Sequence, residues 1–153
     1  MTEAIEKLNV VNSFHMLPWR LIILGEMKAE IGEIPAAETL VGQALEKIDS
    51  SKETWCLPEV YRVAAKVCLC KSPRVPDLAE QHLRHAIQLA RNQGAKLWEL
   101  RATVSLARLL RDTYRRDEAR TTLAEIYNWF TEGFDTADLK EAKALLDELR
   151  NSP

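Results

Sequence analysis

The chain has 153 residues, of which 46% are hydrophobic and 29% charged, and its 21 basic and 23 acidic side chains give a net charge of −2. This length suits one domain with a sizeable core, and the charge balance excludes a disordered chain and lacks the basic excess of a general nucleic-acid binder. Only five glycines and six prolines interrupt the sequence, which disfavours a many-stranded sheet with tight turns and favours long helices.

The first half of the chain divides into helical segments that begin at prolines. Residues 1–16 carry a weak amphipathic pattern, and we interpret them as a remnant of a preceding repeat that leaves an open apolar face. Pro18, Pro35 and Pro58 are each expected to begin a helix, because proline is tolerated in the first helical turn.

The second half continues the pattern. Asp77 is expected to cap the N-terminus of the fourth helix, which ends at Gly94. Three further helices are predicted over about 95–113, 117–132 and 136–149.

Small residues recur with a spacing that predicts paired helices. The sets are Gly25–Ala37–Val41–Ala44, Ala65–Ala79–Leu83–Ala86 and Ala107–Ala119–Leu123–Ile126. They repeat every 40 to 42 residues, and self-similarity at such a period is typical of stacked repeats. The spacing resembles the tetratricopeptide repeat, in which small residues mark the crossing of two antiparallel helices. This resemblance implies a single all-α domain over 1–153, a right-handed superhelix of about three hairpins (17–51, 55–93, 95–132) with a C-terminal capping helix (135–150).

Four longer stretches carry a more specific resemblance. They are WCLPEVYR at 55–62, HAIQLARNQGAK at 85–96, LRATVSLARL at 100–109 and YNWFTEGFDTADLK from 127, continuing to 149. These stretches resemble the C-terminal tetratricopeptide region of large bacterial signalling proteins. In that family the region follows an ATPase module of the AAA or STAND type, with an adenylate or guanylate cyclase domain or a winged-helix domain at the far N-terminus. The resemblance implies a regulatory, protein-binding role and carries over no cyclase or ATPase activity.

Motifs for catalysis or metal binding are weak. The phosphate-binding loop, Gly-x-Ser-x-Gly and His-Glu-x-x-His do not occur in the sequence. Cys68 and Cys70 followed by His82 and His85 superficially suit zinc. However, two cysteines separated by one residue on a helix point about 200° apart, so packing is the favoured interpretation. We therefore expect no enzymatic activity, no metal and no cofactor.

Cysteine content and hydropathy bear on the compartment. Three cysteines without a secretory context favour reduced thiols in a cytoplasmic protein. The longest strongly apolar run, residues 21–24, is far below the roughly 18 residues that span a bilayer.

The concave surface of stacked hairpins is lined by their first helices, which places candidate binding residues there. With Gly25, Ala65 and Ala107 taken as equivalent, the predicted partner-binding residues are Trp19, Arg62, Lys66, Arg101, Arg108 and Arg111. Residues 101–120 hold six arginines against three acids, whereas 121–153 hold seven acids against three bases. Trp19 is the aromatic expected to contact a partner, while Trp55 and Trp98 are expected to pack between hairpins.

Two interpretations of this basic stripe stay open. In one, it is a solvated surface partly paired with the acidic C-terminal helix. In the other, a partly basic groove receives an acidic segment or a C-terminal carboxylate, which arginine binds bidentately.

Two function classes follow. The first is a non-catalytic protein-interaction or regulatory module of a bacterial signalling system, with an acidic protein or peptide partner. The second is a small-ligand sensor domain of a cyclase- or ATPase-linked regulator. Open solenoid ends predict a homo-oligomer. Nucleic acid is disfavoured because the stripe offers only about five cations and no recognition motif.

Overall fold

A computed structural model describes residues 16–71 and 74–151 of the chain. The predicted remnant over 1–16 lies outside the described residues except for Met16. The described residues form seven helices and no strand, so the all-α prediction is confirmed. The helices are α1 (Leu17–Glu30), α2 (Ile34–Ser51), α3 (Leu57–Cys70), α4 (Pro76–Gln93), α5 (Lys96–Asp112), α6 (Arg116–Tyr127) and α7 (Ala137–Asn151).

Proline begins the first four helices. Pro18, Pro35, Pro58 and Pro76 all stand in the first turn, where the missing N–H has no intrahelical partner to lose. The prediction that Asp77 caps α4 is wrong. The helix begins one residue earlier, at Pro76, and Asp77 lies in its first turn without a side-chain capping bond, where its charge still favours the helix N-terminus.

Left-handed residues punctuate the connections. Gly94, with φ 68°, ends α4, and Gly32, with φ 82°, separates α1 from α2. Tyr114 takes the equivalent place between α5 and α6 with φ 63°. This left-handed conformation is energetically unfavourable for any residue that has a Cβ atom.

The sixth helix is shorter than predicted. It ends at Tyr127, because after Asn128 the backbone N–H groups of Trp129 and Phe130 bond three residues back, to Ile126 and Tyr127, and tighten the chain into turns.

The helices pack as successive pairs. The first helix of each pair, α1, α3 or α5, contacts the second helix of its own pair, and α1, α3, α5 and α7 also contact one another in that order. Gly25 marks the first crossing, since a Cβ there would lie 3.5 Å from Leu40 Cβ and 3.7 Å from the Ala37 carbonyl oxygen. The helix α7 buries five apolar side chains against the last pair: Leu139, Ala142, Leu145, Leu146 and Leu149. None of the described helices is long and apolar enough to cross a membrane.

Candidate functional site

A cavity of the described chain lies across all three helix pairs. It encloses about 790 Å³ and is lined mainly by α3 and α5, with contributions from α1, α4, α7 and the connection before α4. We call this cavity the groove. It brings together the five cationic residues predicted from the sequence: Arg62, Lys66, Arg101, Arg108 and Arg111.

Arg62 is the centre of a partly buried ion-pair network at the α1 side of the groove. Its two terminal nitrogens donate to both carboxylate oxygens of Glu26 at 2.9 and 2.8 Å, and its Nε donates to Glu59 at 2.9 Å. Lys66 donates to Glu26 at 3.2 Å and to Glu30 at 2.6 Å. Only 12% of the Arg62 side chain is exposed, so this cation serves carboxylates of its own chain.

The network changes the protonation of Glu26. Burial by itself would raise the pKa of Glu26, but the hydrogen bonds and charge of Arg62, together with the charge of Lys66, outweigh it and lower the pKa to about 2. The pKa of Lys66 is raised: burial opposes the shift, and the carboxylates of Glu30 and Glu26 outweigh that effect.

Glu59 lies behind the network and is 2% exposed. Its Oε2 accepts from Arg62 and lies 3.7 Å from an Arg101 terminal nitrogen. Its Oε1 is the only buried side-chain oxygen or nitrogen in the described residues without a hydrogen-bond partner. Arg62 is therefore the main ion-pair partner of Glu59.

The cations at the α5 side pair with α7. Arg101 donates to Asp138 at 3.0 Å, Arg108 pairs with Glu141, and Arg111 pairs with Glu148 at 3.0 Å. Part of the basic stripe is thus paired with the acidic C-terminal helix, as one of the two sequence interpretations proposed. The Arg101 and Arg108 side chains nevertheless keep 38% and 48% of their surface exposed.

Arg74 also lines the groove. No periodic pattern in the sequence predicts it, because it lies in the connection between α3 and α4. The residue is exposed and forms no ion pair with any described residue. With Arg74 included, six cations and five carboxylates line the groove. Arginine without a carboxylate partner is suited to bind one bidentately.

Trp19 does not line the groove. Its indole is half-buried, with ring centroids 6.0 Å from Trp55 and 6.3 Å from Trp98, and these two are 5.9 Å apart. Each of these tryptophans lies near the start of a first helix, so the three rings join successive pairs. Trp19 thus shares the packing between helix pairs that the sequence predicts for Trp55 and Trp98.

The two cysteines and two histidines whose sequence pattern superficially suits zinc do not come together in the structure. Cys68 is buried and Cys70 is exposed, whereas His82 and His85 pack against the Tyr61 ring at 5.7 and 4.5 Å. Within residues 16–71 and 74–151, no three His, Cys, Asp or Glu side chains converge as a metal site.

Comparison with known proteins adds no assignment. No protein-family model, curated protein or solved structure matches the chain. Function is therefore inferred from the groove itself.

Proposed function

We propose that the chain is a non-catalytic interaction module that binds an acidic peptide segment in the groove. The observation that carries this proposal is the position of Arg74, Arg101 and Arg108, three arginines that line one cavity with much of their surface exposed. Guanidinium groups bind carboxylates through paired hydrogen bonds, which favours an acidic side chain or a terminal carboxylate as the ligand group.

The existing ion pairs are compatible with such a ligand. Exposed pairs such as Arg108–Glu141 contribute about 0–1 kcal/mol, so an incoming carboxylate can replace the internal one at small cost. Arg62 differs, because its side chain is only 12% exposed and holds two carboxylates. We therefore assign Arg62 and Lys66 to maintaining the groove, and Arg74, Arg101 and Arg108 to contacting the partner.

We also propose that the helix pairs form a right-handed superhelix of the tetratricopeptide type in a bacterial signalling protein. The spacing of small residues and the order of contacts between first helices support the repeat. The stretches at 55–62, 85–96, 100–109 and 127–149 support the regulatory context.

The test is binding of a short fluorescent peptide of alternating glutamate and leucine with a free C-terminus, measured by anisotropy. Its counterpart has glutamine in place of glutamate and an amidated C-terminus. We expect the acidic peptide alone to bind. Arg74→Gln and the double variant Arg101→Gln/Arg108→Gln should each weaken binding by about threefold to tenfold, the scale of a net hydrogen bond or ion pair at a solvent-exposed site.

Two controls separate a specific contact from a general charge effect. Arg150→Gln removes an arginine that also forms no ion pair with a described residue but lies outside the groove, so it should leave binding unchanged. The exchange Arg108→Glu/Glu141→Arg keeps the ion pair and the net charge and should still weaken binding. Absence of binding at low salt, or equal affinity for all variants, would contradict the proposal.

A small acidic ligand is the second candidate. The cavity volume of about 790 Å³ lies within the range of about 300–1,000 Å³ found for small-molecule sites. A panel of di- and tricarboxylates tested by thermal shift, with Arg74→Gln as the control, would distinguish this candidate from a peptide partner.

A further inference from the structure

One face of α1 is apolar and uncovered by any described residue. The opposite face of this helix packs in the core through Ile22, Gly25 and Ala29. The uncovered face carries four large side chains that are between 44% and 67% exposed: Ile23, Leu24, Met27 and Ile31.

The same positions are buried in the later helix pairs. Adding 40 to the number aligns Gly25 with Ala65 and the Leu17-Pro18 start of α1 with the Leu57-Pro58 start of α3. Ile23, Leu24 and Met27 then correspond to side chains of α3 that are 0%, 9% and 3% exposed: Val63, Ala64 and Val67. Leu24 and Met27 correspond in α5, by adding 82, to side chains that are 1% and 6% exposed: Leu106 and Leu109.

The element that covers this face in the later pairs is the preceding second helix. Helix α2 packs on α3, and α4 packs on α5. In the first of these contacts, Ala44 and Ile48 of α2 share one core cluster with Val63 and Val67 of α3. The uncovered face of α1 therefore has the register of a surface that receives a second helix.

The same shift of 40 aligns residues 1–11 with the end of α2. Ala4-Ile5-Glu6-Lys7-Leu8 corresponds to Ala44-Leu45-Glu46-Lys47-Ile48, with three identities and two exchanges between leucine and isoleucine. Five residues connect α2 to α3, and five residues, 12–16, separate position 11 from α1. A link this short makes the contact intramolecular at high effective concentration, which favours this segment over a second copy of the chain.

We propose that residues 1–11 form a helix that seats Ala4 and Leu8 on Ile23, Leu24 and Met27 of α1. Lys47, which corresponds to Lys7 under this shift, lies on the exposed side of α2, so the proposed contact does not use Lys7. Ile31 corresponds to Lys71, which is partly exposed, and lies beyond the covered area. This contact concerns the end of the stack and is independent of ligand binding in the groove.

The test compares three single variants and one double variant of the full chain by thermal unfolding. Leu8→Asp should lower Tm by at least about 5 °C because it places a charge in an apolar contact, while the control Lys7→Asp should leave Tm within about 1 °C of the wild type. Met27→Asp should lower Tm as Leu8→Asp does, and the double variant should add little to either. A solvent-exposed face predicts the opposite for Met27→Asp, an unchanged or higher Tm.

Hydrogen exchange gives a second readout that does not depend on global stability. We expect slowed exchange in peptides from residues 1–11 of the wild type, lost in Met27→Asp while α5 stays protected. Fast exchange of residues 1–11 in the wild type would overturn the proposal. A sedimentation coefficient that rises with concentration, together with no effect of Leu8→Asp, would assign the face to a second copy and overturn it equally.

Discussion

Replacement of Arg62 by methionine tests how the groove is held together. The Arg62 side chain is 12% exposed and donates to Glu26 and Glu59, and the Glu59 side chain is 3% exposed. Without Arg62, the remaining cation nearest to Glu59 in the described chain is Arg101, whose terminal nitrogen lies 3.7 Å from Oε2. Removing one partner of a buried pair costs about 3–5 kcal/mol because it leaves an uncompensated charge.

The matched control lies in the same groove. Arg108→Met removes an arginine whose side chain is 48% exposed and whose partner Glu141 is 44% exposed. An exposed pair contributes about 0–1 kcal/mol, so this variant should lose less than about 1 kcal/mol. The double variant Glu59→Met/Arg62→Met removes both charges of the more buried pair and should recover the part of the loss that comes from Glu59, because a buried pair replaced by apolar side chains is often neutral. Glu26 then keeps only Lys66 as a partner, so the double variant should remain about 1–2 kcal/mol below the wild type.

Urea unfolding at pH 7, followed by circular dichroism, measures these free energies by linear extrapolation. The expected order of stability places the wild type and Arg108→Met close together, the double variant below them, and Arg62→Met lowest. A loss of less than about 1 kcal/mol for Arg62→Met, or equal losses for Arg62→Met and Arg108→Met, would refute the assignment of Arg62 to a buried structural network.

Three further predictions concern protonation, backbone strain and thiol reactivity. The pKa of Glu26 is lowered from 4.5 to about 2, so its contribution to stability is present above pH 4.5 and is lost as pH falls from 4.5 toward 2. After allowance for the partial exposure of Glu26, we expect this contribution to be roughly 1–2 kcal/mol of unfolding free energy. Glu26→Gln should therefore flatten the urea midpoint over that pH range, and an unchanged acid dependence would contradict the network. Tyr114→Gly should raise stability by about 0.5–1 kcal/mol, since Tyr114 is 96% exposed with φ 63° and glycine relieves the strain without loss of packing; a lower thermal midpoint would be the contrary result. Cys70, which is exposed, should react with iodoacetamide at pH 8 much faster than Cys56, whose pKa burial raises to about 11, and mass spectrometry showing equal labelling would contradict this burial.

The sequence predicted the helices and the residues that line the groove better than it predicted which of these residues form ion pairs. Proline positions predicted where α1, α2 and α3 begin, because proline is compatible with the first turn and with little else in a helix. The repeat period placed Arg62, Lys66, Arg101, Arg108 and Arg111 in one cavity, since equivalent positions of stacked helices share a face.

Other features depend on side-chain contacts that no single-helix pattern encodes. Which carboxylate pairs with each arginine depends on the position of α7 and on the side-chain rotamers. The sequence of the basic stripe does not specify either, so it is compatible both with internal pairing and with an acidic partner. Trp19 occupies a position compatible with the groove, but its ring packs on Trp55 and Trp98 and gains apolar contact there. Arg74 lies in a connection outside any helical period, and its place in the groove follows from the tertiary fold.

The central claim, that the groove receives an acidic segment, is tested most directly by nuclear magnetic resonance of the arginine side chains. Addition of the glutamate and leucine peptide to labelled protein should shift the Nε–Hε signals of Arg74, Arg101 and Arg108. The signals of Arg120 and Arg150, which lie outside the groove, should stay in place. Shifts confined to arginines outside the groove, or equal shifts with the glutamine peptide, would contradict the claim.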